Sequence, residues 1–228
     1  MSLATVRWGA LVLGVAGVAL TLLFHWQVFF WVPTEASMGI VQRIFYIHLP
    51  AAWVGFLAFG IVAICSAVYL WLGEEKLDQA AVAAAEGGMI FTTIVLTSGP
   101  LWARLAWGTW WTWDPRLTLT LLLWFIYLGY FLVRSSTENP ERGRRFAAVV
   151  GIVGALNIPL IHMSVVWFRS LHPPPIVARQ DGPQLHPDML TTVFTALGAW
   201  TLIFFSLFLL RYGVGRLEAR IEQGVIPS

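Results

Sequence analysis

Six long apolar stretches constrain the fold of this chain more than any other feature of its sequence. Each has roughly 17–25 residues, the length that an α-helix needs to cross the hydrocarbon core of a bilayer. Only 11% of the 228 residues are charged, against about 25% in a typical soluble domain. The sequence therefore predicts an all-α, polytopic membrane protein, with one bundle of six transmembrane helices over residues 1–228. The predicted spans are 9–30, 49–72, 80–97, 117–133, 146–166 and 191–210.

The positive charges of the connecting segments predict the orientation, because Lys and Arg are enriched in cytoplasmic loops. With both termini in the cytoplasm, nine Lys and Arg residues lie inside and five lie outside. The strongest signal is RSSTENPERGRR at 134–145, which holds four arginines. This orientation leaves three outer loops, at 32–48, 98–116 and 167–190. The five outer arginines are Arg43, Arg104, Arg116, Arg169 and Arg179.

Several classes of protein are excluded by what the sequence lacks. A net charge of +2 leaves no basic field of the kind that binds nucleic acid. No G-x-x-x-x-G-K-[ST] motif is present, so the chain does not hydrolyse ATP by that route. The single cysteine, Cys65, permits neither an intrachain disulfide nor a C-x-x-C-H haem attachment, and we interpret it as a small packing residue.

The segment WGTWWTWDPRLT at 107–118 concentrates indole side chains in the second outer loop. Its four tryptophans are Trp107, Trp110, Trp111 and Trp113. One interpretation is an aromatic belt at the membrane interface. The other is a ligand platform, because the first three tryptophans stand at i, i+3 and i+4 and would share one face of a helical turn. Asp114 follows on that face, and Pro115 is expected to end the turn. Such a platform suits a flat, apolar, charged ligand such as a porphyrin or a quinone.

Histidines are the second group of candidate ligands, and the predicted topology places all five in the outer half of the protein or beyond it. They are His25, His48, His162, His172 and His186. A haem iron takes one or two imidazoles. His48 lies at the outer mouth of the second span, and His172 lies just past the fifth. Both would sit at the depth of the tryptophans, on separate elements, where they could clamp a planar ligand from two sides.

The other three histidines are weaker candidates for binding a ligand. His162 lies inside the fifth span, where an ionisable residue is either functional or bonded to a neighbouring helix. We interpret His25 as a packing or interfacial residue and His186 as a cap at the start of the sixth span. Spacing alone does not choose His172 over His186. Two outer arginines, Arg43 and Arg116, are candidate partners for haem propionates or anchors for lipid headgroups.

The tryptophan segment and the histidine segments RIFYIHLPAAW and NIPLIHMSVVWFRSLH together resemble a known pattern. They are similar to the "WWD" signature of the haem-handling membrane proteins of cytochrome c biogenesis, and most similar to the CcmC (haem exporter protein C) family of system I. The resemblance covers nearly the whole chain, and six spans suit that family, since CcmF and CcsA-type proteins are longer. Two features depart from it: Pro115, where other members can have alanine, and the HPPP run after His172.

The resemblance implies roles for individual residues. His48 and His172 would be the axial ligands of haem iron, and Arg43 and Arg116 would hold the propionates. The haem platform would consist of Trp107, Trp110, Trp111, Trp113 and Asp114.

The resemblance also implies a mechanism and a set of partners. The protein would hold haem b non-covalently at the outer face of the bacterial inner membrane and present it to the haem chaperone CcmE, with which haem forms a covalent adduct. The ATPase subunits CcmA and CcmB and the small membrane protein CcmD would complete the complex. The chain itself would not be an enzyme, because its contribution is to orient haem with one porphyrin edge open to a partner.

Two other functions remain as alternatives at this point. A membrane b-type cytochrome or quinone-binding redox subunit would normally hold haem between histidines well inside paired spans, and only His162 is that deep here. A small-solute permease would show internal symmetry and broken spans. Gly151, Gly154 and Pro159 hint at a kink in the fifth span, but no other span repeats that pattern.

Overall fold

The computed structural model confirms the all-α class: its described residues form seven α-helices and no strand. Two of the arginines used for the orientation, Arg169 and Arg179, lie outside the described residues, as do Pro174 and Pro175 of the HPPP run. The structure describes residues 2–168, 170–173, 176–177, 181–222 and 224.

Six helical segments of the described chain are long and apolar enough to cross a membrane, as the sequence predicts. They are Leu3–Trp31, Ile40–Leu72, Glu75–Trp107, Pro115–Ser135, Pro140–Trp167 and Pro187–Ile221. The first ends in a π-helical turn, Gln27–Trp31, and the second begins with a 3-10 turn, Ile40–Ile44. The α-helices are α1 Leu3–Trp26, α2 Phe45–Leu72, α3 Glu75–Trp107, α4 Pro115–Ser135, α5 Pro140–Ala155, α6 Asn157–Trp167 and α7 Pro187–Glu222.

The fifth span is two helices because of a proline. Pro159 has no N–H to donate to the carbonyl of Ala155, the residue four positions earlier. The α-helical pattern is interrupted at Leu156, between α5 and α6. The Asn157 side chain donates to the carbonyl of Leu119 on α4 at 2.8 Å, which ties the break to a neighbouring helix.

The segment 98–116 is not the continuous loop that the sequence analysis expected. The helix α3 continues through Pro100 and ends at Trp107, where Gly108 takes a left-handed conformation (φ 76°) that favours glycine. Asp114 is extended and caps α4 by accepting from the Leu117 amide at 3.0 Å. Pro115 therefore begins α4, at a position where a missing N–H costs nothing.

The helices pack as neighbouring pairs around a core that lies along α2. The most extensive contacts join α1 with α7 and α2 with α3, followed by those of α5 with α2 and with α4. In the core, the Phe59 and Tyr127 rings stack at 3.6 Å between centroids. The Tyr127 hydroxyl donates to the carbonyl of Gly151 at 2.9 Å, so this buried side chain joins α4 to α5.

One end of the bundle is held by ion pairs between helices. Both Arg134 Nη atoms donate to the buried Asp78 carboxylate at 2.5 Å. Arg144 pairs with Glu75, and Arg211 donates from Nε to Glu86 at 2.9 Å. Arg134 lies near the end of α4, whereas Arg116 of the predicted ligand site lies near its start. The ion-paired cluster and the predicted ligand site are therefore at opposite ends of this helix.

Candidate functional site

His48 sits in the first turn of α2 against the C-terminal part of α3. Its Nδ1 lies 2.9 Å from Ser98 Oγ. The Trp102 ring meets the imidazole edge-on, with 5.8 Å between ring centroids. A Cβ atom on Gly99 would lie only 3.2 Å from His48 Cε1, so the backbone of α3 approaches the ring closely. We call Ser98, Gly99 and Trp102 the His48 socket.

His172 lies in the segment between α6 and α7 and is held by residues near the start of α4. Its Nδ1 lies 3.0 Å from Arg116 Nη1. Its amide donates to Ser170 Oγ, and Ser170 Oγ donates to Asp114 Oδ2, each at 3.0 Å. The Asp114 carboxylate thus caps α4 and positions the His172 backbone at the same time.

The environment of His172 keeps its imidazole neutral. Burial, and then the positive charge of Arg116, lower the pKa of His172 to about 4. A neutral imidazole carries a lone pair that a metal ion can use. The carbonyl of Pro173 also lies 3.0 Å from Nδ1, so this nitrogen faces a donor and an acceptor together.

The two histidines come from separate elements and lie near each other. The charge of Arg116 acts on both imidazoles, and a protonated His172 would act on His48. In the described part of the chain, the Nε2 atom of neither ring has a hydrogen-bond partner. The site therefore holds two imidazole Nε2 atoms without hydrogen-bond partners among the described residues, and one guanidinium near both rings.

The tryptophans do not share one face of a helical turn, so that expectation is wrong. Trp107 is the last residue of α3, and Gly108 ends the helix before Trp110. Trp110 and Trp113 are exposed, at 56% and 75%. The Trp111 ring meets that of Trp113 edge-on, with 5.8 Å between centroids. Residues 109–114 are thus non-helical and lead to Asp114, the N-cap of α4.

Arg43 is placed differently from Arg116. It lies on the 3-10 turn before α2, which packs against α3. Its Nε is buried without a hydrogen-bond partner, as are the indole nitrogens of Trp102 and Trp111. Three buried N–H donors without acceptors suit a ligand that brings its own acceptor oxygens.

The other three histidines have separate surroundings. His25 Nδ1 lies 2.7 Å from the carbonyl of Thr21, one turn earlier in α1. The His162 side chain is exposed on α6, and its carbonyl accepts from Arg116 at 3.4 Å. His186 Nδ1 accepts from the Asp188 amide at 3.3 Å, which is a capping contact at the start of α7.

Four residues of this region were missed by the sequence analysis: Ser98, Gly99, Trp102 and Ser170. The first three were assigned to a loop, and in a loop the spacing of residues along the sequence does not indicate which side chains lie together. Read as helix, Ser98 and Trp102 stand at i and i+4 and share a face, which is the signal that could have found them. Ser170 carried no signal, because its role depends on Asp114, 56 residues earlier.

The chain is similar to known proteins over nearly its whole length. The family model for Heme exporter protein C matches residues 2–225. The protein with that name from Bradyrhizobium diazoefficiens is 39% identical over 177 residues, which are 78% of this chain and 67% of the relative. The one from Haemophilus influenzae is 31% identical over 195 residues, 86% of this chain and 78% of the relative. This chain, a multi-pass membrane protein by its six spans, therefore belongs to the Heme exporter protein C family.

Proposed function

We propose that this chain binds haem b non-covalently at the outer end of its helix bundle, with His48 and His172 as axial ligands of the iron. The observation that carries the proposal is the proximity of these two imidazoles, from α2 and from the segment after α6, with neither Nε2 atom hydrogen-bonded among the described residues. A haem iron takes one or two such ligands. The family to which the chain belongs is named for haem export.

The surrounding groups suit the rest of a haem molecule. Arg116 is a guanidinium beside His172, and a guanidinium binds carboxylates such as propionates through paired hydrogen bonds. Arg43 is proposed as a second propionate partner because its buried Nε lacks an acceptor. Trp107, Trp110, Trp111 and Trp113, with Asp114 at their end, are proposed to lie against the porphyrin.

We propose that the chain delivers its bound haem to another protein. The exposed indoles of Trp110 and Trp113 leave one edge of the site open to another protein, and we propose that this protein is the haem chaperone CcmE. CcmA and CcmB would supply ATP hydrolysis, and CcmD would complete the complex. The chain would contribute binding and orientation rather than a catalytic group.

We place the chain in the bacterial inner membrane, with both termini and the ion-paired end of the bundle in the cytoplasm. The basis is the excess of arginine at that end, which holds Arg134, Arg144 and Arg211. In a Cys65→Ser background, Ala36→Cys should react with an impermeant maleimide in intact cells, and Ser136→Cys should not. Labelling of the second variant alone would reverse the orientation.

The axial assignment is tested by absorption spectroscopy of the detergent-purified full chain, before and after dithionite. We expect a haem spectrum in the wild type, and a large loss of haem in both His48→Ala and His172→Ala. His186→Ala is the matched control, since that side chain only caps α7. If both alanine variants retain the wild-type spectrum, the axial assignment is wrong. A potentiometric titration separates delivery from electron transfer, because a redox subunit must cycle reversibly with a quinone pool.

A further inference from the structure

The hydroxyl of Ser98 stands between two groups that compete for its single hydrogen. It lies 2.6 Å from the carbonyl of Ile94, one turn back in α3, and 2.9 Å from His48 Nδ1. A serine hydroxyl has one donor hydrogen and can accept through its lone pairs. A carbonyl oxygen only accepts, whereas a neutral imidazole nitrogen donates or accepts according to its tautomer.

Only one arrangement of hydrogens satisfies both short distances. If Ser98 donates to Ile94, its oxygen accepts from an Nδ1–H of His48, and two hydrogen bonds form. If Ser98 donates to His48 instead, the bond to Ile94 is lost, and the ring must carry its proton on Nε2. That proton would have no acceptor among the residues that the structure describes. The first arrangement therefore has one more hydrogen bond and no unsatisfied ring donor.

We infer that Ser98 is a positioning residue that holds His48 in its Nδ1–H tautomer and so leaves Nε2 unprotonated before any ligand arrives. Gly99 and Trp102 act with it, because the close backbone and the edge-on indole restrict rotation of the ring. The consequence for iron rests on the proposed function, since an imidazole binds a metal through an unprotonated nitrogen. The tautomer itself does not depend on haem.

The tautomer is measured in the haem-free full-length protein by nitrogen NMR with 15N-labelled histidine, with His48 assigned by a His48→Gln variant. We expect His48 to be protonated on Nδ1 in the wild type and to become a mixture of tautomers in Ser98→Ala. Ser98→Thr keeps the hydroxyl and should restore the wild-type signal. The matched control is Thr97→Ala, because the exposed Thr97 hydroxyl bonds only to helix carbonyls of α3. A wild-type His48 protonated on Nε2, or one unchanged in Ser98→Ala, would overturn the inference.

The consequence for the ligand is measured separately, by the rate at which reconstituted haem leaves each variant for an excess of apomyoglobin. Loss of an outer partner of a ligating histidine typically weakens binding about 10- to 100-fold, and we expect at least about a tenfold faster loss in Ser98→Ala. Thr97→Ala should match the wild type. If Ser98→Ala shifts the tautomer but releases haem at the wild-type rate, Ser98 has no part in ligation. If His48→Ala also releases haem at that rate, the axial assignment of His48 has failed and the tautomer result still stands.

Discussion

The two histidines of the site are held in different ways. His48 lies on α2 against the socket residues of α3, and its Nδ1 has one polar neighbour, the Ser98 hydroxyl. His172 lies between helices, and its Nδ1 has two neighbours of opposite kinds, the Arg116 guanidinium and the Pro173 carbonyl. The His48 ring thus has a single hydrogen-bonding state, whereas the His172 ring can bond to either Arg116 or Pro173.

The partners of His172 cannot both be satisfied at once. Arg116 only donates, so its bond needs a lone pair on Nδ1, and the Pro173 carbonyl needs a hydrogen there. Without a ligand, the charge-assisted bond from Arg116 is the stronger. Binding iron through Nε2 would place the proton on Nδ1, favour Pro173 and release the guanidinium for another acceptor. In the proposed haem site, His48 would thus be prepared for ligation, whereas ligation by His172 would change its surroundings.

The largest expected difference between the two histidines concerns rescue by free imidazole. We expect His48→Gly and His172→Gly each to lose most of the haem. Millimolar imidazole should restore the haem spectrum of His48→Gly far better, because α3 leaves a formed socket for the small ligand. The measurement is a titration followed at the main haem absorption band. Equal rescue, or better rescue of His172→Gly, would contradict the contrast between a prepared and an exchangeable ligand.

The next effect concerns Arg116 and pH. The pKa of His172 is lowered to about 4 by burial first and by Arg116 second, so the imidazole is neutral at every pH well above 4. Haem retention by the wild type should stay flat from pH 8 to within about one unit of that pKa. In Arg116→Gln the pKa of His172 rises, so protonation of this imidazole competes with iron binding at higher pH than in the wild type. Because the contacts of Arg116 are also lost, we expect haem retention at neutral pH to fall about tenfold.

Arg116→Lys is the control for this prediction, because it keeps the positive charge and loses the planar guanidinium. Its acid limit should stay closer to that of the wild type than the limit of Arg116→Gln. An identical pH profile in Arg116→Gln and the wild type would show that the charge of Arg116 does not govern His172.

The smallest expected effect concerns the space around the His48 ring in the His48 socket. Gly99→Ala places a Cβ atom 3.2 Å from His48 Cε1, which is tighter than ordinary contact and must displace the ring. We expect haem to leave a few times faster than from the wild type. Gly60→Ala in α2 is the matched control, since its Cβ meets nothing within 4 Å. Alanine favours helix over glycine by roughly 0.5–1 kcal/mol, so the Gly60→Ala control should not melt earlier than the wild type. Unchanged haem release in Gly99→Ala would mean that the ring has room to move.

The tryptophan segment shows where prediction from local spacing fails. The i, i+3, i+4 pattern of Trp107, Trp110 and Trp111 predicts one helical face, but Gly108 adopts positive φ and ends α3 inside the pattern. The opposite error occurred at the third span, which the sequence analysis ended at residue 97, although α3 continues through Pro100 to Trp107. A proline removes one backbone hydrogen bond from a helix. Here the helix nevertheless continues past Pro100, and Trp102 in its next turn packs against Phe45 and His48.

The choice between His172 and His186 also lay beyond the sequence. Both histidines precede a proline in the same outer segment, and nothing in their spacing separates them. In the folded chain His172 lies against Arg116, 56 residues away, whereas His186 caps its own helix.

Apolar length alone determined that this chain forms six membrane-spanning helices, because each span must bury its own backbone hydrogen bonds and can be recognised residue by residue. The identity of His48, Asp114 and Arg116 as candidates was likewise visible from their types and neighbours. The partners that hold the histidines depend on how the helices pack. Ser98, Ser170 and Arg116 reach them across 50 or more residues or through a short segment between helices, and such contacts exist only once the helices have packed.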